Sequence, residues 1–106
     1  MNRLVIALLG SVLYSGASMA QKQTYFTNPV IRGDVADPSI IRIDDTYYVT
    51  GTSSEWAPYY PVFTSKDLVN WKQTGHVFEQ QPEWTKSSFW APEWYYHNGK
   101  VYVYYT

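Results

Sequence analysis

Short runs of alternating apolar and polar residues follow one another along the chain after residue 20, and breaker residues separate them. Such alternation predicts β-strands, because successive side chains of a strand face opposite sides of its sheet. The predicted strands are 39–43, 47–52, 62–65, 71–77, 90–96 and 100–106, with loops at 53–61 and 78–89. No run after residue 20 has the period of an amphipathic helix, so the sequence predicts an all-β fold.

Two tight turns divide the predicted strands into hairpins, and the hairpins repeat. Asp44-Asp45-Thr46 joins the first pair of strands, and His97-Asn98-Gly99 joins the last pair with the strong Asn-Gly signal. Shifting the chain by 54 residues places the first turn on the second and Asp37-Pro38 on Ala91-Pro92. Units of about 40–55 residues with four strands are typical of β-propeller blades. Because blades bury their faces against neighbours, we expect about two blades of an incomplete propeller, the N-terminal part of a longer protein.

The first 20 residues have the three parts of a secretory signal peptide. Arg3 is basic, residues 4–13 form an apolar run, and Ser18-Met19-Ala20 supplies the small residues that precede a cleavage site. We therefore expect cleavage before Gln21 and a single β-domain at 21–106. The apolar run is too short to span a bilayer, so the sequence predicts export to the periplasm or extracellular medium without membrane insertion.

The composition of residues 21–106 indicates which kinds of molecule the protein can bind. Seven basic and nine acidic residues give a formal charge of −2, which argues against nucleic acid or an anionic membrane. The chain has no cysteine, so the exported protein would not depend on disulfides. Aromatic residues are abundant and often paired, as in Tyr47-Tyr48 and Tyr95-Tyr96. Strands favour aromatic residues in any case, which accounts for part of this content. Neighbours on a strand face opposite sides of the sheet, so not all of these rings can lie in the core. The remaining rings indicate stacking on flat ligands such as sugar rings.

A carboxylate stands directly before a proline where the first predicted strand begins. Pro38 restricts the residue that precedes it, so we expect Asp37 to be extended and rigidly held at the strand entrance. A catalytic carboxylate needs such rigid support. An isolated Asp-Pro pair more often only marks a turn, so this pair alone does not decide between a turn and a catalytic carboxylate.

Four motifs together resemble glycoside hydrolase family 43. In chain order they read ADPSI, DDTYYVTGTS, SKDLVNW and FWAPEW, and the resemblance extends over residues 28–106. It implies a five-bladed β-propeller enzyme that hydrolyses O-glycosyl bonds of arabinose-, xylose- or galactose-containing plant polysaccharides with inversion. Two other classes stay open: a non-catalytic carbohydrate-binding propeller and a structural surface β-domain. A glutamate at a later blade entrance would favour the enzyme, and glycan retention without turnover would favour the binding module.

The resemblance also implies roles for individual residues. Asp37 corresponds to the family's general base, which takes a proton from the attacking water. The general acid and an aspartate that tunes its pKa belong to later blades, outside this sequence, and Glu93 is assigned to structure or site polarity. The two catalytic carboxyl groups of an inverting enzyme stand roughly 6.5–9.5 Å apart, a spacing that different blades can provide.

An oligo- or polysaccharide substrate would be contacted by aromatic residues beside the catalytic carboxylates. Trp90 lies at the entrance of the second blade, where it either contacts the substrate or packs in the core, and Trp56 and Phe89 are expected to line the pocket from flanking loops. His76 and His97 lack metal-ligand spacing, so no metal site or cofactor is predicted from this sequence. The resemblance allows a structural calcium or other ion near the propeller axis, with ligands from the other blades.

Overall fold

The computed structural model describes residues 25–106, so the predicted signal peptide and its cleavage site lie outside the described residues. The strands are β1 Ser39–Ile43, β2 Thr46–Thr50, β3 Tyr59–Ser65, β4 Lys72–Phe78, β5 Glu93–His97 and β6 Lys100–Tyr104. The described part of the chain contains no helix, which confirms the predicted all-β fold. Accordingly, residues 25–106 hold no helix that is long and apolar enough to cross a membrane.

The first four strands form one antiparallel sheet in the order β1-β2-β3-β4. β1 and β2 pair from Ser39 opposite Thr50 to Ile43 opposite Thr46, so a two-residue turn joins them. β2 also pairs with β3, and β3 pairs with β4 across an irregularity in register. A four-stranded antiparallel meander is the form of one propeller blade, and β5 and β6 are the first hairpin of the next sheet.

The 54-residue repeat predicted from the sequence is present in the backbone. Moving β1 and β2 by 54 residues gives the bounds of β5 and β6, and the pairing of Ser39 with Thr50 recurs as Glu93 with Tyr104. Left-handed φ angles also recur at matching positions: Asp37 (47°) with Ala91 (44°), and Asp44 (53°) with Asn98 (49°). The two hairpins therefore share one backbone course, from the residue before the proline to the end of the second strand.

The core of this segment forms around two tyrosines at the start of β3. Tyr59 and Tyr60 are buried, and Phe89, only 2% exposed, stacks on Tyr59 with ring centroids 3.9 Å apart. The sequence predicts that β3 starts at Val62, because Pro61 cannot donate to a ladder. The strand instead begins at Tyr59: Tyr59 pairs with Phe78 and Pro61 with His76, and between them Tyr60 is left-handed with a φ of 56°. The predicted start of β3 is therefore wrong by three residues, because tertiary packing outweighs the local preference of the sequence.

The entrance of β5 also differs from the prediction, because the strand begins at Glu93 and not at Trp90. Trp90 and Thr106 exchange backbone hydrogen bonds, with N–O distances of 3.4 Å in each direction. Regular pairing cannot continue from there, since Ala91 is left-handed and Pro92 has no N–H. The residues ahead of β5 therefore form a separate entrance segment.

The Tyr60 hydroxyl ties the first sheet to the entrance of the second. It lies 3.3 Å from the carbonyl oxygen of Trp90 and 3.4 Å from that of Thr106, so it can donate its proton to either. Burial raises the pKa of Tyr60 to about 12, and the adjacent Tyr105 phenol contributes to the increase. The folded chain therefore favours the neutral phenol.

This raised pKa predicts a loss of stability in alkaline solution. In the unfolded state Tyr60 titrates near its ordinary pKa of 10.0, so between about pH 10 and 12 the folded state binds the proton more tightly. The stabilisation from this group is complete below about pH 10 and is lost as the pH rises through 12, by on the order of 2 kcal/mol. Urea unfolding of the full-length protein at a series of alkaline pH values measures the loss.

Tyr60→Phe is the control for this prediction, because it keeps the ring and removes the titrating group. The variant should show a shallower alkaline decrease in the free energy of unfolding. A decrease as steep as that of the wild-type protein would assign the effect to other groups.

Candidate active site

Asp37 lies at the entrance of β1, but its backbone is left-handed and not extended as predicted. Its φ of 47° is a conformation that costs a non-glycine residue on the order of 1–3 kcal/mol. Tertiary hydrogen bonds hold it there: the Thr52 N–H donates to the carbonyl oxygen of Ala36 at 2.9 Å, and the Thr52 hydroxyl donates to the Asp37 carboxylate. These contacts outweigh the extended preference that Pro38 imposes locally.

Gly51 lets the Asp37 segment approach the end of β2. A Cβ atom at Gly51 would lie 2.8 Å from the Val35 side chain and 2.9 Å from the Ala36 carbonyl oxygen, closer than real contacts allow. The close approach brings Ala36 within hydrogen-bond reach of the Thr52 amide. Sequence reasoning missed this role, although a glycine at a strand end is a known signal of close backbone approach.

The two carboxylate oxygens of Asp37 have different surroundings. Oδ2 accepts a hydrogen bond from the Thr52 hydroxyl at 2.8 Å, whereas the described residues give Oδ1 no donor. The side chain is exposed, so water can reach Oδ1. One oxygen is thus held by the protein and the other is open to a solvent molecule, an arrangement suited to accepting a proton from water. The sequence indicated Asp37 but not Thr52.

A cavity of about 400 Å³ opens beside the Asp37 segment. Asp34, Ala36, Thr52, Trp56 and His76 are among the residues that line it. Trp56 is 79% exposed, so the face of its ring is available to a ligand. A mixture of polar groups and an exposed aromatic ring suits a sugar, which presents both hydroxyl groups and apolar ring faces.

The entrance of β5 lies against the entrance of β1, and the Thr52 side chain joins Ala91 to Asp37. The Ala91 N–H donates to the Thr52 hydroxyl at 2.9 Å, and that hydroxyl donates to Asp37. Trp90, 51% exposed, directly precedes Ala91 and is thereby brought to the same end of the sheets. By the 54-residue repeat it is Ala91, and not Trp90, that occupies the position equivalent to Asp37.

Phe89 does not line the pocket, so the prediction of a substrate contact is corrected. Its side chain is buried in the core against Tyr59 and Tyr60. Its backbone forms an isolated bridge with Ser54, with N–O distances of 3.0 and 3.2 Å. A ring already buried by this segment cannot contact a sugar, and its role is to fix the return of the loop before β5.

Glu93 and Trp94 begin β5 beside β1. The backbone N–H of Trp94 donates to the buried Ser39 hydroxyl at 3.0 Å, which joins the start of β5 to the start of β1. The Glu93 side chain is exposed at this junction. These positions agree with the structural or polar role assigned to Glu93 but do not distinguish between the two.

A larger cavity, of about 690 Å³, is bounded by the first sheet and by Val35 and Pro38 of the segment before β1, and it is not a candidate site. Its lining includes Ile40, Val49, Leu68 and Trp71 and contains no ionisable side chain. It therefore offers apolar packing but no group for acid–base chemistry. Within residues 25–106 no three His, Cys, Asp or Glu side chains cluster as metal ligands.

Comparison with known proteins identifies the family. The family model described as glycosyl hydrolases family 43 matches residues 26–106. The chain belongs to glycosyl hydrolase family 43. Among the relatives, the non-reducing end alpha-L-arabinofuranosidase BoGH43B of Bacteroides ovatus is 39% identical over 95% of this chain and 20% of its own length. A beta-xylosidase of Formosa agariphila is 37% identical over 74% of this chain and 15% of its own length.

A further relative and two solved structures are also similar to this chain. An extracellular exo-alpha-(1->5)-L-arabinofuranosidase of Cellvibrio japonicus is 36% identical over 69% of this chain and 22% of its own length. The solved GH43B structure from Bacteroides ovatus superposes with a TM-score of 0.68 at 39% identity, over 76% of this chain and 18% of that one. A Cellvibrio cellulosa alpha-L-arabinanase complexed with arabinohexaose gives a TM-score of 0.59 at 33% identity, over 71% of this chain and 25% of that one.

These similarities confirm the predicted fold class, part of a five-bladed β-propeller of the family 43 type. The chain spans about a fifth of the length of the curated relatives it matches. The first sheet is a complete four-stranded blade, and β5 and β6 belong to the next.

Proposed function

We propose that the full-length protein is an inverting glycoside hydrolase in which Asp37 is the general base. The observation that carries this proposal is the asymmetric setting of the Asp37 carboxylate. Oδ2 is held by Thr52, Oδ1 is open, and the cavity beside the segment carries an exposed aromatic ring. Membership of family 43 supports the same reaction class.

The open oxygen defines the step that this segment performs. Water adds to the anomeric carbon while one of its protons passes to Oδ1 of Asp37, and the bond to the leaving oxygen breaks. A carboxylic acid on the other side of the sugar gives its proton to the leaving oxygen. The family resemblance places that acid on a later blade, so the described residues supply the base half of the reaction.

Trp56 and Trp90 are proposed to contact the sugar. Both side chains are exposed, and they lie on the two loops that flank Thr52 and Asp37. An indole ring can stack on the apolar face of a sugar ring while hydroxyl groups bond to polar neighbours. We further propose pentose-containing plant glycans as substrates, because the relatives are named as arabinofuranosidases and xylosidases.

The test is hydrolysis of aryl α-L-arabinofuranosides, β-D-xylosides and β-D-galactosides by the full-length protein, followed by proton NMR of the first product. We expect turnover of at least one pentoside and a first-formed sugar of inverted anomeric configuration. A retained configuration would overturn the inverting mechanism. Retention on a glycan column without turnover of any substrate would favour a carbohydrate-binding propeller, and the absence of both would favour a structural domain.

We also propose that the protein is exported. The basic, apolar and small-residue parts of residues 1–20 support this, and one relative is named as extracellular. We predict that N-terminal sequencing of the exported protein begins at Gln21. A mature protein that still starts at Met1 would contradict the prediction.

A further inference from the structure

The Thr52 hydroxyl occupies a position between two blade entrances. It accepts a hydrogen bond from the Ala91 N–H at 2.9 Å and lies 2.8 Å from Oδ2 of Asp37. A backbone N–H can only donate, so the hydroxyl oxygen must accept from Ala91. Its one proton is then directed to the ionised carboxylate, which can only accept. The direction of both bonds is therefore fixed by chemistry.

Both ends of this link are anchored independently. The Thr52 amide bonds to the Ala36 carbonyl at 2.9 Å, which holds the residue that precedes Asp37. On the other side, the buried Tyr60 hydroxyl lies 3.3 Å from the carbonyl of Trp90, the residue that precedes Ala91. Thr52 thus lies between two segments whose backbones are already restrained, and its hydroxyl has little freedom to turn elsewhere.

We infer that Thr52 is a positioning residue for the general base, an inference that rests on the proposed function of Asp37. By occupying Oδ2 it leaves Oδ1 as the oxygen that receives the proton from water. By accepting from Ala91 it fixes the base relative to the entrance that carries Trp90. The Thr52 hydroxyl thereby links the base on one blade directly to the entrance that carries the proposed sugar contact on the other.

The test compares Thr52→Val with Thr52→Ser in the full-length protein. Valine keeps the branched shape but can neither donate nor accept, and serine keeps the hydroxyl. Misplacement of a reacting group can cost up to about 100-fold, so we expect Thr52→Val to lower kcat by about 10–100-fold while KM changes much less. Thr52→Ser should restore most of kcat. Thr74→Val, which also removes a threonine hydrogen bond in the first sheet, should leave kcat near the wild-type value.

A double-mutant cycle separates positioning from a merely structural role. If Thr52 acts through the carboxylate, Thr52→Val should have little further effect on kcat once Asp37 is already Asn. An undiminished effect in that background, or a normal kcat in Thr52→Val, would overturn the inference. Near-UV circular dichroism shows whether Thr52→Val folds; if it does not, Thr52→Ala replaces it with the same expectations. Failure of Thr52→Ser to recover kcat would also contradict the role proposed for Thr52.

The same variants distinguish a wrong general base from a wrong role for Thr52. A folded Asp37→Asn variant with normal kcat refutes the proposed general base itself. A large loss in Asp37→Asn together with normal Thr52→Val leaves the proposed function intact and refutes only the role of Thr52.

Discussion

Asp37→Asn in the full-length protein is expected to lower kcat by at least about 100-fold, because general base catalysis typically contributes about 10²–10⁴-fold. Asparagine keeps the shape of the side chain and can still accept from Thr52, but its amide cannot take a proton from water. KM should change much less, since the main partner of Oδ1 is the water and not the sugar. Steady-state kinetics on the best aryl pentoside, with a thermal melt of each variant, measure both effects.

Asp44→Asn is the matched control. Asp44 is an exposed aspartate at the opposite end of β1, and its left-handed φ of 53° is one that asparagine tolerates well. This variant should keep a kcat near the wild-type value. If Asp37→Asn does the same while remaining folded, Asp37 is not the base.

Azide makes the experiment more specific. A small anion that binds where the water is normally held can attack the anomeric carbon from the same face without needing a base. Partial recovery of Asp37→Asn by azide, with a glycosyl azide of inverted configuration as product, would place Asp37 beside the nucleophilic water. Recovery should not occur in the wild-type protein, whose base already activates water.

Phe89→Ala is expected to destabilise the full-length protein by about 3–5 kcal/mol, the usual cost of deleting a buried phenylalanine ring. Phe89 is 2% exposed and contacts both Tyr59 and Tyr60, so the change leaves a cavity in the core of the first sheet. Its backbone bridge to Ser54 would also lose support. Chemical denaturation followed by near-UV circular dichroism measures the loss as a shift in midpoint.

Phe26→Ala is the control for this truncation, because Phe26 is 58% exposed in the described segment. Substitutions at exposed positions usually change stability by no more than about 0.5 kcal/mol. A Phe89→Ala variant that loses as little as Phe26→Ala would show that the ring is not part of the core. A sugar-contacting role for Phe89 would then return.

The sequence predicts features whose cause is local. The turns at Asp44-Asp45 and Asn98-Gly99 form as expected, because their residues tolerate left-handed φ angles and stand between alternating strands. The repeat was also visible, since the same pattern occurs twice at one spacing. The family motifs point to Asp37 for the same reason, because the residues that carry the resemblance are adjacent in sequence.

Features caused by contacts between distant residues were not predicted. Thr52 forms hydrogen bonds with Asp37, 15 residues away in sequence, and with Ala91, 39 residues away. The periodicity of the sequence does not predict contacts at such separations. The left-handed backbone of Asp37 depends on those contacts and reverses the expectation drawn from Pro38 alone. The sequence predicts Phe89 at the pocket because it lies in a loop that flanks a blade entrance, but only the folded chain shows that the ring returns to the core.

The residue ahead of each entrance proline is left-handed in both copies of the repeat. Asp37 and Ala91 have nearly the same φ, and the same hydroxyl joins them. The main-chain strain at this position therefore belongs to the blade as a duplicated unit and not to the chemistry of one copy. At this position a carboxylate is present in one copy and a methyl group in the other. The same backbone conformation at a blade entrance can therefore present either a reactive side chain or an inert one.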